Sequence, residues 1–200
     1  DAAAARNVTG LLLCLELSSL HVQEESDDVD QIVAHSLFAD AAAAVAVRPS
    51  AAGLQVVDVA AHTDIDSADL MRWDVTDRGF RMGLAREIPQ VLERRAGPLV
   101  RSLLARHGLG PEQVEGWAIH PGGPRILEAV AGPLGIDRDQ LEVSRSVLRD
   151  YGNCSSPTVL LALQRLMGQR TLHHGDHVVC VAFGPGLTLY AALLSWSDPA

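Results

Sequence analysis

Apolar positions in this chain come in short runs separated by polar stretches. Gly10–Leu17 (GLLLCLEL) is an apolar run closed by polar residues and predicts a buried strand. The polar, acidic stretch Ser18–Gln31 predicts a loop. His35–Pro49 passes from a short loop into a strand of small residues, and Leu54–Thr63 alternates well enough for a second strand. Residues 68–83 read as irregular or as a hairpin turning at Asp77-Arg78-Gly79. From Ala85 to His107, the positions Ile88, Val91, Leu92, Leu99, Leu103 and Leu104 recur at helical spacing. Gly97-Pro98 is expected to kink or divide that helix, and Gly108 to stop it. Trp117–Ile119 predicts a short strand ending at His120, followed by a helix with Pro124 in its first turn. A helix over Ser156–Met167 follows, with Ser155 or Ser156 as its cap and Pro157 in its first turn. Two last strands, His177–Phe183 and Leu187–Leu194, are joined by Gly-Pro-Gly.

This mixture of strands and helices reads as α/β. At 200 residues, 48% hydrophobic and 20% charged, the chain can bury a substantial core. A net charge of −9 argues against nucleic acid, which demands clustered cations. All 16 basic residues are arginine, which excludes Schiff-base chemistry and a lysine phosphate loop. Cys14, Cys154 and Cys180 form no CxxC pair and suggest a reducing, cytoplasmic setting without disulfides. No apolar run reaches the ~18 residues of a membrane span. The start lacks Met and begins like the tail of a helix, so the chain is expected to be a piece of something longer.

Three segments carry candidate chemistry. In YGNCSSPTVL, Cys154 stands at a helix start, where the end-dipole favours thiolate, or is simply a small packing residue. Its neighbour Asn153 is a helix cap or a donor aimed at an oxyanion. His120 ends a strand and enters HPGGPRIL, where it is a general base, a neutral donor or a structural histidine. AFGPGLT by itself signals only a tight turn. His173–His177 (HHGDH) is poorly spaced for a tetrahedral metal and reads as a solvated loop. Glu24–Asp30 lacks the glycine and ligand pattern of a calcium loop and reads the same way. No metal site is expected.

In this order and spacing, HPGGPRIL, GNCSSPTVL and FGPGLT resemble the type III polyketide synthases, the chalcone-synthase-like enzymes. SLFADAAAAVAV and GLLLCLELSS resemble the segments that precede them in that family. The resemblance runs from about Asp1 to Leu194. It implies a thiolase-like fold layered α-β-α-β-α, incomplete at the N-terminus, and a homodimer. Residues 1–48 would end the first thiolase-like half and 49–200 would form the second. It also implies a Cys-His-Asn site for decarboxylative condensation of malonyl-CoA with a CoA-linked starter, needing no redox or metal cofactor. His120 and Asn153 match the family's histidine and asparagine.

The family's nucleophilic cysteine matches none of the three here, and is expected to precede Asp1. Phe38 and Phe183 match two gating phenylalanines. Ser18, His21 and Met82 fall near cavity-shaping positions, and Ser155 lies beside Asn153. Gly122 and Gly123 are expected to face the pantetheine arm. His21 is an unusual cavity liner and reads equally as a solvent-facing loop residue. Ala39, Ala41 and Ala182 stand where the family commonly has Gly, which would cost ~1 kcal/mol or more at positive φ. A ketoacyl synthase III-like enzyme and a non-catalytic partner subunit are the alternatives.

Overall fold

The computed structural model describes residues 5–22, 28–49, 52–77 and 79–198. Strand β1 (Gly10–Glu16) pairs antiparallel with β2 (Ala41–Val47), with helix α1 (Val29–Leu37) between them in the chain. Strand β3 (Gly53–Thr63) is followed by a hairpin of β4 (Met71–Thr76) and β5 (Gly79–Leu84). Helix α2 (Ile88–Ala105), strand β6 (Gly116–Ile119), and helices α3 (Pro124–Ala131), α4 (Arg138–Tyr151) and α5 (Ser156–Gln169) come next. The hairpin of β7 (His177–Gly184) and β8 (Thr188–Ser197) comes last among the described elements. The larger sheet has the order β3-β8-β7-β6, antiparallel except where β6 runs parallel to β7.

Alternation along the strands sorts the core into two sides. Trp117, Ile119, Val179, Val181, Leu189 and Leu193 face α2 and α3, which contribute Leu92, Val100, Leu103, Leu127 and Val130. Ala118, Val178 and Leu194 face the other way, onto Val143 and Val147 of α4 and Ala162 and Leu166 of α5. Beyond α5 lies the β1–β2 sheet, tied to it by the Ser156 hydroxyl donating to Glu16 Oε1 at 2.6 Å. The described residues thus stack as helix, sheet, helix, sheet.

Several local expectations change. The run Gly10–Leu17 is a strand but not a buried one: Leu11, Leu13 and Leu15 are 63%, 67% and 65% exposed. α5 covers only the opposite face, and no described layer lies over these leucines. The expected loop Ser18–Gln31 contains a 3-10 turn at Ser18–His21 and the first residues of α1. Asp28 starts that helix by accepting from the Asp30 amide at 3.0 Å, and it also pairs with Arg81. Residues 24–27 of the acidic run, and Arg78 of the expected turn, lie outside the described residues. His35–Leu37 is the last turn of α1, not a loop.

Pro98 sits inside α2 without dividing it. Its missing N–H and ring clash cost ~3 kcal/mol, but buried residues on both sides, from Leu92 and Ala96 to Val100, Leu103 and Leu104, hold the helix down. Helix α4 escapes the pattern reading, although its start is a capping box. Asp137 Oδ1 accepts from the Gln140 amide at 2.9 Å, and Gln140 Oε1 accepts from the Asp137 amide at 3.1 Å. Positive φ among described non-glycine residues occurs only at Asn7 and Ser155, so Ala39, Ala41 and Ala182 carry no such strain.

Candidate active site

His120 stands one residue past β6, where its backbone N–H still donates to the Val181 carbonyl at 2.8 Å. The chain then turns through Pro121-Gly122-Gly123 into α3. The imidazole is buried, at 7% exposure, and stacks edge-on against Phe183 with centroids 5.0 Å apart and planes at 73°. Burial pushes its pKa down to about 4. At neutral pH the ring is therefore uncharged and carries one N–H donor.

Asn153 is delivered by the break between α4 and α5. Gly152 takes φ 76°, and a methyl group there would lie 2.9 Å from the Leu37 carbonyl oxygen, so the position needs glycine twice over. The next amide, of Asn153, donates to that same carbonyl at 2.7 Å, and the Asn153 carbonyl accepts from Ala39 at 2.9 Å. This short parallel bridge ties Asn153 to Phe38. The side chain is buried. Its Oδ1 accepts from the Ser155 amide at 2.9 Å, which fixes the plane of the amide. Its Nδ2 then faces the Gly122 carbonyl at 3.5 Å, the long limit of a hydrogen bond, with capacity left for a better acceptor.

The oxygen of the Asn153 side chain orders the helix start, while its nitrogen is turned to the Gly122 carbonyl. Ser155 occupies the cap position of α5, yet its hydroxyl makes no capping bond; its carbonyl accepts from Thr158 N–H and Oγ1 at 3.0 and 2.8 Å. Ser155 holds φ 54°, a costly conformation of the kind that gathers at functional sites.

Gly122 joins the two halves of this site. Its carbonyl faces Asn153, and a methyl group built on it would lie 3.6 Å from His120 Cδ2 and 2.9 Å from Phe183 Cζ. Gly123 has no such neighbour.

Neither Cys154 nor Cys180 has a thiolate-favouring setting. Cys154 is 1% exposed, its Sγ points to the Tyr151 carbonyl at 3.4 Å, and burial, then the nearby Asp40 charge, raises its pKa. Burial pushes Cys180 up to about 12. Cys14 lies within β1.

Beside this centre are two adjoining cavities of about 200 and 260 Å³, which share Ser18, His21, Phe38 and Trp73. Met82 lines the first and Ser155 the second. His21 is not a free loop residue: it meets Trp73 and Phe80 edge-on at 5.5 and 5.1 Å. Phe183 lines neither cavity and packs on His120 instead. Trp73, Phe80, Glu16 and Gln31 also line these spaces and escaped the sequence reading. For Trp73 the signal was present, since it sits directly across the hairpin from Met82 and so shares its face. Among the described residues no three His, Cys, Asp or Glu side chains gather as a metal site.

The described architecture matches solved structures of type III polyketide synthases, which have the thiolase-like fold. The crystal structure of 1,3,6,8-tetrahydroxynaphthalene synthase from Streptomyces coelicolor A3(2), a bacterial type III polyketide synthase, is matched with a TM-score of 0.90 at 28% identity, over 99% of this chain and 60% of that one. The C-terminal type III polyketide synthase domain of Steely1 from Dictyostelium is matched with a TM-score of 0.89 at 28% identity, over 98% and 56%. The family profile described as chalcone and stilbene synthases, C-terminal domain, matches residues 57–196, and the chain belongs to that family. It is 34% identical to the 3,5-dihydroxyphenylacetyl-CoA synthase of Amycolatopsis orientalis, over 97% of this chain and 54% of that protein. It is 35% identical to the 1,3,6,8-tetrahydroxynaphthalene synthase of Streptomyces peucetius subsp. caesius, over 94% and 51%. The chain spans about half the length of the curated relatives it matches.

Proposed function

We propose that this chain supplies the His-Asn part of a type III polyketide synthase that extends an acyl-CoA starter with malonyl-CoA. The observation that supports the reading is that two buried side chains, the neutral His120 imidazole and the Asn153 amide, both border Gly122.

The chemistry suits neutral donors. When CO2 leaves the malonyl thioester, the C–C bonding electrons pass into an enolate and negative charge gathers on the thioester oxygen. Two donors held in place stabilise that oxygen, at ~3 kcal/mol for one such donor. The enolate carbon then attacks the carbonyl of a starter held on a cysteine, and the cysteine sulfur departs as thiolate. That cysteine is none of the three in this chain. Burial disfavours an imidazolium at His120, so the ring acts as a donor and becomes cationic only beside an anion such as a thiolate.

In this reading residues 1–48 close one thiolase-like half and residues 49–200 form the second, within a homodimer. The relatives' names fit the chemistry, since a poly-β-keto chain that closes on itself yields a hydroxylated ring. The test is His120→Ala in the intact protein, with malonyl-CoA decarboxylation followed by chromatography. A loss of 100-fold or more is expected from removing such a donor, and wild-type decarboxylation by the variant would end the assignment.

A further inference from the structure

The smaller cavity contains a polar group that the condensation chemistry does not use. Gln31, on α1, is 2% exposed and lines this cavity with Ser18, His21, Phe38, Trp73 and Met82. Its Nε2 donates to the Met82 carbonyl at 2.6 Å. A carbonyl can only accept, so this bond fixes which end of the amide is nitrogen. The other end, Oε1, has no hydrogen-bond partner among the described residues. Oε1 is not among the fully sealed unpaired atoms, and an unpaired amide oxygen of a cavity-lining residue is able to accept from a bound donor. The neighbouring Asp40 is already engaged, accepting from the Ser19 amide and hydroxyl at 2.8 and 2.6 Å.

At about 200 Å³ the cavity is smaller than the ~300–1,000 Å³ of sites that enclose a drug-sized ligand, so it takes one end of an acyl group. Phe38, Trp73 and Met82 provide an apolar wall for a ring or short chain, and Gln31 adds an acceptor at one point on it.

We propose that Gln31 is a specificity-determining residue, whose Oε1 accepts a hydrogen bond from a hydroxyl on the acyl group held in this cavity and so selects hydroxylated acyl chains over unsubstituted ones. This rests on the polyketide synthase reading above. The buried donor–acceptor pair is lost entirely with an unsubstituted chain, since its C–H bonds cannot replace the O–H.

The test uses the intact enzyme with malonyl-CoA and three starters, benzoyl-CoA, 3-hydroxybenzoyl-CoA and 3-methoxybenzoyl-CoA. Wild type is expected to favour the hydroxylated starter about tenfold in kcat/KM over both others, mainly through KM. Gln31→Met, close in volume but without the acceptor and without the donor to the Met82 carbonyl, is expected to bring that ratio near one, whatever its effect on the rate common to all three starters. A wild type that treats the hydroxy and methoxy starters alike overturns the proposal without any variant. So does a Gln31→Met enzyme that loses activity equally on all starters, because the glutamine then serves only to hold β5 through Met82. Failure of the synthase reading is separate: it is read from malonyl-CoA decarboxylation by wild type, which does not involve Gln31.

Discussion

Replacing Gly122 with alanine tests the geometry of the site most directly. The added methyl group would lie 2.9 Å from Phe183 Cζ and 3.2 Å from Cε2. Carbon atoms rest at ~3.5–4.0 Å, so the ring must withdraw by roughly 0.6 Å or more. That ring is the one stacked on His120 at 5.0 Å, so the imidazole loses its lateral support or shifts with it. The Gly122 carbonyl also faces Asn153 Nδ2, so the disturbed turn borders both side chains. Overpacking of this kind costs ~1–3 kcal/mol, and the low end applies because the far edge of a ring can swing. The expected fall in melting temperature is then ~2–4 °C. The catalytic cost is expected to be larger, since a misplacement of ~1 Å can lower a rate ~100-fold.

Gly123→Ala is the matched control. Nothing lies within 4 Å of its added methyl group, and its φ of 164° is extended backbone open to any residue. As the cap of α3 it should lose no more than ~1 kcal/mol, with an unchanged rate. Malonyl-CoA decarboxylation by the intact enzyme, with thermal melting alongside, reads both variants. A Gly122→Ala enzyme at the wild-type rate, or a Gly123→Ala enzyme slowed equally, would refute the reasoning.

Two further outcomes follow from the titrating groups. His120 has a folded-state pKa of about 4 against 6.5 unfolded, so between those values the unfolded chain binds the extra proton. Stability should therefore fall as pH drops from 6.5 to 4, by about 3 kcal/mol in all, with no further loss from this group below pH 4; urea midpoints measured across this range should flatten in His120→Gln, and an unaltered profile would contradict the buried neutral imidazole. Burial raises the thiol pKa of both Cys154 and Cys180, so iodoacetamide at pH 7.5 should leave both unmodified in the folded protein, as read by peptide mass, and Cys154→Ala should decarboxylate malonyl-CoA at close to the wild-type rate.

Much of this protein was legible in its sequence because the signals are local. Alternation locates β3, apolar runs on either side of Gly-Pro-Gly locate β7 and β8, the helical spacing of Ile88, Val91, Leu92, Leu103 and Leu104 locates α2, and Pro124 and Pro157 mark where α3 and α5 begin. The chemical types of His120 and Asn153, in motifs that resemble one family, singled out the pair. The first residues of α1 sit in an acidic run, and α4 opens on the capping box Asp137/Gln140 in a mostly polar segment that buries a single stripe through Leu141, Val143 and Val147, so neither has a clear apolar pattern.

What the sequence could not determine is whatever depends on residues far apart in the chain. Pro98 reads as a helix breaker until the core on either side of it is seen. Gln31 reads as a loop residue until burial against Met82 leaves its amide oxygen open. Local patterns are set by backbone stereochemistry and by the spacing of apolar side chains, which any short window contains. Whether His120 is neutral, where Asn153 Nδ2 points and what lines a cavity are set by burial and by contacts across 31 residues from Gly122 to Asn153 or 51 from Gln31 to Met82, and only the tertiary structure brings those groups together.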